Sequence, residues 1–325
     1  MPRSTLSKAM LAGLLALACG APAASAQTFP SKPIRLIIPF GAGGPRDVQA
    51  RVIGPKLQDS VGQTLVVDNR AGANGIIGTE LAARSTPDGH TILMVSSGFA
   101  VSATLYPKLP YDSLRDFAFI TPLSSGPGIL VVNPALPARS VPELVEYLKA
   151  RPGKVFYASA GNGAPSHLAV ELFKVLTRTD VTHVPYKGMA TGMTDVISGQ
   201  VQMSIPTIPG GLPHAKAGRL RALAVTSARR SNAAPELPTM MEAGIAGYSA
   251  TNWYGIAAPV KTPRAIIAKL NAVLRAAIAA PDVSERLVAL GLDPGTSSPE
   301  EFTAFVRDEI GKWAKVVKAA GLKPE

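Results

Sequence analysis

From residue 33 to about residue 225, short apolar runs alternate with helical stretches, and glycine-rich turns stand between them. Alternation of this kind argues for sheets built from strand-helix-strand units, because a helix returning between two parallel strands must cover one face of the sheet they share. The fold class it predicts is α/β. Ile34 to Pro39 reads as a first buried strand, followed by the turn Gly41-Ala42-Gly43-Gly44-Pro45 and a helix from about Asp47 towards Leu57. Leu65 to Asp68 repeats the strand, Gly72-Ala73-Asn74-Gly75 repeats the turn and opens a helix to about Ala83, and Thr91 to Val95 is a third strand.

A second series follows. Ile129 to Val132, Val155 to Ala158, His183 to Pro185, Val201 to Ile205 and Arg221 to Val225 read as strands, with helices near Ser166 to Leu176 and Met193 to Ile197. Ser140 and Glu143 have the spacing of a capping box at another helix start. The last third is helical: Thr262-Pro263 can cap and start a helix to about Ala280, and Ser298-Pro299-Glu300-Glu301 starts another. In the first of these, Ile266, Ile267, Leu270, Val273, Leu274 and Ile278 form one apolar stripe, so the helix packs on a core.

The first 26 residues read as an address. Arg3 and Lys8 precede an apolar run from Ala9 to Ala18, and Ala24-Ser25-Ala26 supplies a small-residue cleavage site, the pattern of a secretory signal peptide. The apolar run falls short of the roughly 20 residues that span a bilayer. Cleavage near Ala26 leaves about 300 residues, more than one core usually serves, so two domains are expected. The single cysteine, Cys19, lies inside this leader, which leaves the exported chain without a disulfide or a thiolate metal ligand and points to a bacterial periplasm. Ala16-Leu17-Ala18-Cys19 faintly resembles a lipoprotein site but lacks the large aliphatic residue three places before the cysteine. The net charge of +11 comes from basic residues scattered singly, the longest run being Arg229-Arg230, which weakens a nucleic-acid reading.

The strongest chemical feature is the pair of glycine turns, each after a strand and before a helix. Glycine lets backbone approach a ligand, and free amides at a helix start present a positive end to an anion. If the two strands are neighbours, both turns lie at one carboxyl edge of the sheet, where open α/β sheets bind ligands. A dinucleotide fingerprint fails here, since Arg46 stands where a third glycine is required. A further turn runs from Ala158 to His167 and carries hydroxyls suited to a carboxylate. Ser159 or Ser166 with His167 gives an alternative reading as an exported serine hydrolase, although Tyr157-Ala158-Ser159-Ala160-Gly161 lacks the first glycine of a nucleophile elbow. His90, His167, His183 and His214 show no metal spacing, and no cofactor is expected. Trp253-Tyr254 has the character of either a stacking platform or core.

These motifs together resemble the periplasmic substrate-binding proteins of tripartite tricarboxylate transporters, the TctC-like or Bug receptors. The likeness covers the chain after the leader. It rests on Pro30 to Ile34, Pro39-Phe40 through Gly43-Gly44 to Asp47 with Ala50-Arg51, and Val67-Asp68-Asn69-Arg70 through Gly72-Ala73-Asn74-Gly75 to Gly78. Ala158 to Gly161, Ser166 to Ala169, Glu171 to Phe173, His183-Val184-Pro185-Tyr186-Lys187-Gly188, Lys216 to Gly218, Arg221 to Thr226 and Pro235 to Pro238 complete it.

The resemblance implies a hinged, two-lobed Venus-flytrap protein without catalytic activity, with residues 27–125 and 252–325 in one lobe and 126–251 in the other. It implies capture of a di-, tri- or aromatic carboxylate by a monomer and delivery to the membrane subunits of a transporter, with no nucleic-acid partner. The implied contacts are Phe40, Gly41, Ala42, Gly43, Gly44, Arg46 and Asp47 in the first turn and Asn69, Gly72, Ala73 and Asn74 in the second. Ser96 and Ser97 follow the third strand; Ser159, Ala160, Gly161, Asn162, Ser166 and His167 close from the other lobe, with Thr207 and Trp253. Two departures bear on the ligand. Arg46 replaces the family's usual threonine or serine and adds a guanidinium. Pro206-Thr207 replaces an Asp-Asn type pair, which disfavours a ligand carrying an ammonium.

Overall fold

The computed structural model describes residues 29–186 and 188–323. The expected leader, with Cys19, and Lys187 lie outside the described residues. Ten helices and eleven strands within them form two sheets.

The first sheet has the order β11-β4-β10-β3-β1-β2. Its parallel part is β1 (Ile34–Ile38) between β2 (Leu65–Asn69) and β3 (Thr91–Ser96). The long strands β4 (Phe117–Pro127) and β10 (Thr251–Pro259) run antiparallel beside them, with β11 (Asp293–Pro294) at the edge. The second sheet has the order β7-β6-β8-β5-β9, with β5 (Ile129–Val132), β6 (Phe156–Ser159), β7 (Thr182–Pro185), β8 (Met203–Ser204) and β9 (Arg221–Val225). Both sheets are mixed where the alternation suggested parallel pairing. The antiparallel members are strands next to the passage between sheets, where the chain reverses without a crossover helix.

That passage is short. β4 ends at Pro127 and β5 begins at Ile129, so Gly128 alone joins the two sheets, and the chain returns through the segment between β9 and β10. The two connections are tied: Gly128 N donates to Thr226 Oγ1 at 2.7 Å, and Thr226 N donates to the Gly128 carbonyl at 3.0 Å. A Cβ at Gly128 would meet Ile205 Cγ2 at 2.7 Å, which is why a side chain is missing at this crossing.

Helices α1 (Pro45–Val61), α2 (Ile76–Ala83), α3 (Ser97–Leu105), α4 (Val141–Lys149), α5 (Pro165–Thr177), α6 (Met189–Ser198) and α7 (Ile208–Lys216) follow the strands in turn. The carboxyl-terminal helices α8 (Arg264–Ala279), α9 (Pro281–Ala289) and α10 (Pro299–Ala319) return to the first sheet, where α8 packs on β4 and α1, and α10 on β4 and α3. Proline at the first position starts α1, α5, α9 and α10, where its missing N–H has no intrahelical partner to lose. Ser298 and Glu301 form the expected capping box. At Ser140 only half of one forms: its hydroxyl takes Glu143 N, while Glu143 reaches back to Arg139 N. Thr262 does not cap α8. Pro263 holds that position, and the Thr262 hydroxyl is buried without a partner.

Period-two alternation in β1 explains the two-faced core. Ile34, Leu36 and Ile38 pack with Ile92, Met94 and Ile256 under α1 and α8, whereas Ile37 joins Leu93, Phe99 and Phe119 on the other face under α3 and α10. Full burial of side chains of this size contributes about 1.5–3 kcal/mol each. No described helix is long and apolar enough to cross a membrane.

Candidate functional site

A cleft of about 360 Å³ opens between the two sheets. Phe40, Pro45 and Arg46 reach it from the first glycine turn, Asn74 from the second, and Ser97, Gly98 and Val101 from α3. The second sheet's side is Asn162 to Pro165 and Leu168, at the start of α5. Ala250, Thr251, Asn252 and Tyr254 form the wall beside the crossing strands, and Trp313 comes from α10.

Among the described residues, Arg46 is the one charged side chain lining this cleft. α1 begins two residues before the expected position, so Arg46 falls in its first turn and its side chain turns across the end of β3. Ser96 Oγ accepts from Nη2 at 2.6 Å and from Nε at 3.2 Å. The guanidinium carbon stands 3.8 Å above the Phe40 ring and 5.7 Å from that of Tyr254. Burial pushes its ionisation below the usual arginine value, with Tyr254 acting in the opposite direction. No carboxylate pairs with Arg46 among the described residues. A half-buried cation without a counter-ion among the described residues leaves this geometry poised for an anion. Beside it, Ser97 donates to Asn252 Oδ1, and Asn252 Nδ2 donates to Tyr254 Oη at 2.7 Å.

The glycine turns are scaffolding around Arg46 more than they are cleft wall. Gly41, Ala42, Gly43, Gly44, Gly72 and Ala73 stand outside the lining. Asp47 is buried and accepts from Gly43 N at 3.0 Å and from Arg51; the Arg51 hydrogen bond holds its carboxyl below the usual carboxylate range. Asn69, at the end of β2, donates to the Phe40 carbonyl at 3.1 Å and ties the turns together. The second turn holds Ala73 and Asn74 at φ of 45° and 51°, a left-handed conformation that non-glycine residues adopt at some cost. Gly78 admits the close approach behind it, since a Cβ there would lie 2.7 Å from the Arg70 carbonyl oxygen.

In the second lobe, of the expected residues only Asn162 lines the cleft; Ser159, Ala160, Gly161, Ser166 and His167 lie behind it. Ser166 Oγ accepts from Ala160 N at 3.0 Å, and His167 Nδ1 accepts from Gly163 N at 2.9 Å. Ser159 pairs with His183 Nε2 at 2.6 Å, not with His167, and is 0% exposed. A serine hydroxyl facing an imidazole would suit a nucleophile, but this one is sealed from any substrate. The expected Ser-His167 pairing is therefore not formed.

Two further expectations fall outside the cleft. Trp253 faces the opposite side of β10 from Asn252 and Tyr254, as alternation along a strand demands, and its Nε1 donates to Glu309 at 2.9 Å. Thr207 is exposed at the start of α7, where its carbonyl accepts from Gly210 and Gly211. Asn252, Val101, Leu168 and Trp313 were not anticipated. Asn252 was accessible in principle, two residues from Tyr254 on one strand face; Trp313 had no local signal.

Residues 49–322 match the family model described as tripartite tricarboxylate transporter family receptor, TctC. Protein BugT of Bordetella pertussis is 41% identical over 301 residues, covering 92% of each chain. Among solved structures, R. palustris Rpa4515 with adipate is 36% identical with a TM-score of 0.73, over 91% of this chain and 100% of that one. MatC (Rpa3494) from Rhodopseudomonas palustris with bound malate is 30% identical with a TM-score of 0.69, over 89% and 100%. The fold is thus the two-lobed one of periplasmic binding proteins.

Proposed function

The chain belongs to the tripartite tricarboxylate transporter receptor family, and from that premise we propose that its cleft captures a small organic carboxylate and delivers it to the membrane subunits of such a transporter. The observation that carries this reading is Arg46, a half-buried guanidinium in the cleft with a hydroxyl partner and, among the described residues, no acid. A ligand carboxylate would supply the missing charge, and adipate and malate in the relatives are ligands of that class. The lobes divide near residues 125–126 and 251–252; the first-sheet strands β4 and β10 reach Pro127 and Thr251, a residue or two beyond those bounds. Residues 1–26 direct export to the periplasm, the exported chain acts as a monomer, and no reaction is catalysed.

A thermal-shift screen of the mature protein tests this. Ligand bound only to the folded state raises the melting temperature by mass action. A rise with carboxylates, and none with nucleotides or simple esters, is the expected result. No shift with any acid, together with ester turnover, would overturn it.

A further inference from the structure

The turn of residues 162–165 that lines the cleft from the second lobe is held from behind by an imidazole. Gly163 N donates at 2.9 Å to Nδ1 of His167, which lies outside the lining and is 4% exposed. An amide N–H can point only at an unprotonated nitrogen, so this ring is the neutral tautomer with its proton on Nε2, 3.9 Å from Glu171 Oε1. His167 also stands in the first turn of α5, where the positive end of the helix opposes an imidazolium. Burial acts the same way and holds its ionisation below the ordinary histidine value.

The groups that face it, among the described residues, are few. His183 on β7 and Tyr157 on β6 stack with it, and Glu171 and Lys174, farther along α5, pair with each other. From α10, which packs on α5, Glu309 and Lys312 also pair with each other, and the Tyr248 phenol donates to the Ala169 carbonyl. Other ties of the turn end on hydroxyl and carbonyl acceptors: Ala160 N donates to Ser166 Oγ, Gly161 N to Ser159 Oγ and Ala164 N to the Gly161 carbonyl. A proton on His183 leaves its Nε2 able to donate to Ser159, so that contact survives. A proton on His167 Nδ1 sets two N–H groups against each other, and the Gly163 amide must move.

We infer that His167 is a positioning residue of the ligand site: its neutral Nδ1 fixes the Gly163 amide and with it the second-lobe wall, and protonation there loosens the wall and releases the acid. This rests on the carboxylate-receptor reading and adds a regulation to it. A ligand bound against the intact wall favours the neutral ring. Affinity is therefore full above the range in which the unliganded ring titrates and falls as pH drops through it, by at most about tenfold per pH unit for one linked proton.

Calorimetric titration of the mature protein, with whichever of adipate, malate, citrate and benzoate binds best at about pH 7.5, tests it. His167→Asn offers a carbonyl oxygen in place of Nδ1 and does not titrate, whereas His167→Ala offers no acceptor. At about pH 7.5 the Asn variant is expected to bind within about twofold of the parent, and the Ala variant at least about fivefold more weakly. Between about pH 7.5 and about pH 5 the parent should lose at least about fivefold more affinity than His167→Asn, since titration of the acid itself is common to both proteins. Should His167→Ala fail to fold, the comparison of parent with His167→Asn decides alone. Coincident pH profiles for those two proteins would overturn the inference and leave the receptor reading standing. Absence of binding by all four acids would remove the receptor reading and this inference with it.

Discussion

The imidazole rings of His167 and His183 lie face to face, with centroids 4.0 Å apart and planes 5° from parallel. Tyr157 continues the stack at 4.8 Å from His183. The groups facing the pair are Ser159 on His183, Glu171 with its Oε1 3.9 Å from His167 Nε2, and Lys174, which bonds Glu171 at 2.8 Å. Gly163 N–H points at His167 Nδ1, so that nitrogen must be unprotonated, and two imidazolium rings could not share this stack. Burial, the other ring and Lys174 push His183 down to about 4 against Glu171, and burial likewise lowers His167.

The sign of the pH dependence follows. In the unfolded chain both histidines take a proton near pH 6.5, whereas the folded chain resists until lower pH. Between those values the unfolded state binds more protons, so stability falls as pH falls, and above about 7 the pair contributes no slope. The melting temperature should be flat from pH 7 to 8 and should drop between about 6.5 and 4, with a shallower drop in His183→Gln. Parallel curves for the two proteins would show that the pair does not control the effect.

Arg46→Ala should weaken binding of the acid that gives the largest thermal shift by at least tenfold, because it removes the one charged group that lines the cleft among the described residues. The unliganded variant should melt no lower than the parent, since a partly desolvated cation with no acid beside it is a cost to the fold that ligand binding offsets. Arg46→Lys keeps the charge and loses the fork that spans Ser96, so it should fall between. Calorimetry and thermal unfolding on the same samples check both halves; unchanged affinity in Arg46→Ala would remove the residue from the site.

Glu309 is the acceptor that joins the two tryptophans, taking Trp253 Nε1 at 2.9 Å and Trp313 Nε1 at 3.1 Å, with Lys312 on its other oxygen. Glu309→Leu would bury two indole donors without partners, at about 1–3 kcal/mol each. Both indoles share Oε2, so the amide oxygen of Glu309→Gln can keep the pair while its NH2 turns towards Lys312, and this variant should cost less than the leucine one. Urea unfolding of the three proteins measures this order; equal stability of Leu and Gln variants would contradict it.

Much of this architecture was legible in the sequence because periodicity and turn chemistry are local. β1 and α5 lie within a residue or two of their expected bounds, and proline and serine mark helix starts. The second strand series was less exact: β8 is Met203–Ser204 where a longer run was expected, and α6 extends from Met189 to Ser198. The site was legible only as a neighbourhood. Which of Trp253 and Tyr254 faces the cleft depends on the pairing of β10 with β3 and β4, a long-range fact. Ser159 attracted attention as a hydroxyl on a turn, yet its partner is His183, 24 positions away on the neighbouring strand β7. Arg46 was visible because it broke the glycine pattern, whereas its placement over Phe40 required the fold.

Closure of the lobes should depend on ligand. The two sheets are joined by Gly128 and by the return into β10, a connection in which Gly128 and Thr226 exchange hydrogen bonds, while α10 also touches α5 across the lobes, so closure must shift that helix contact as well. A ligand favours the closed form only through contacts it makes there and not in the open form. Arg46 and Tyr254 sit on the first lobe and Leu168 on the second, so an acid held by Arg46 gains its apolar contacts with Leu168 when the lobes approach. Small-angle scattering should therefore show a smaller radius of gyration at saturating ligand, and Leu168→Ala should retain binding through Arg46 while showing less compaction. An unchanged radius with a saturating ligand would mean that the cleft binds as a fixed pocket, and the hinge would then play no part in capture.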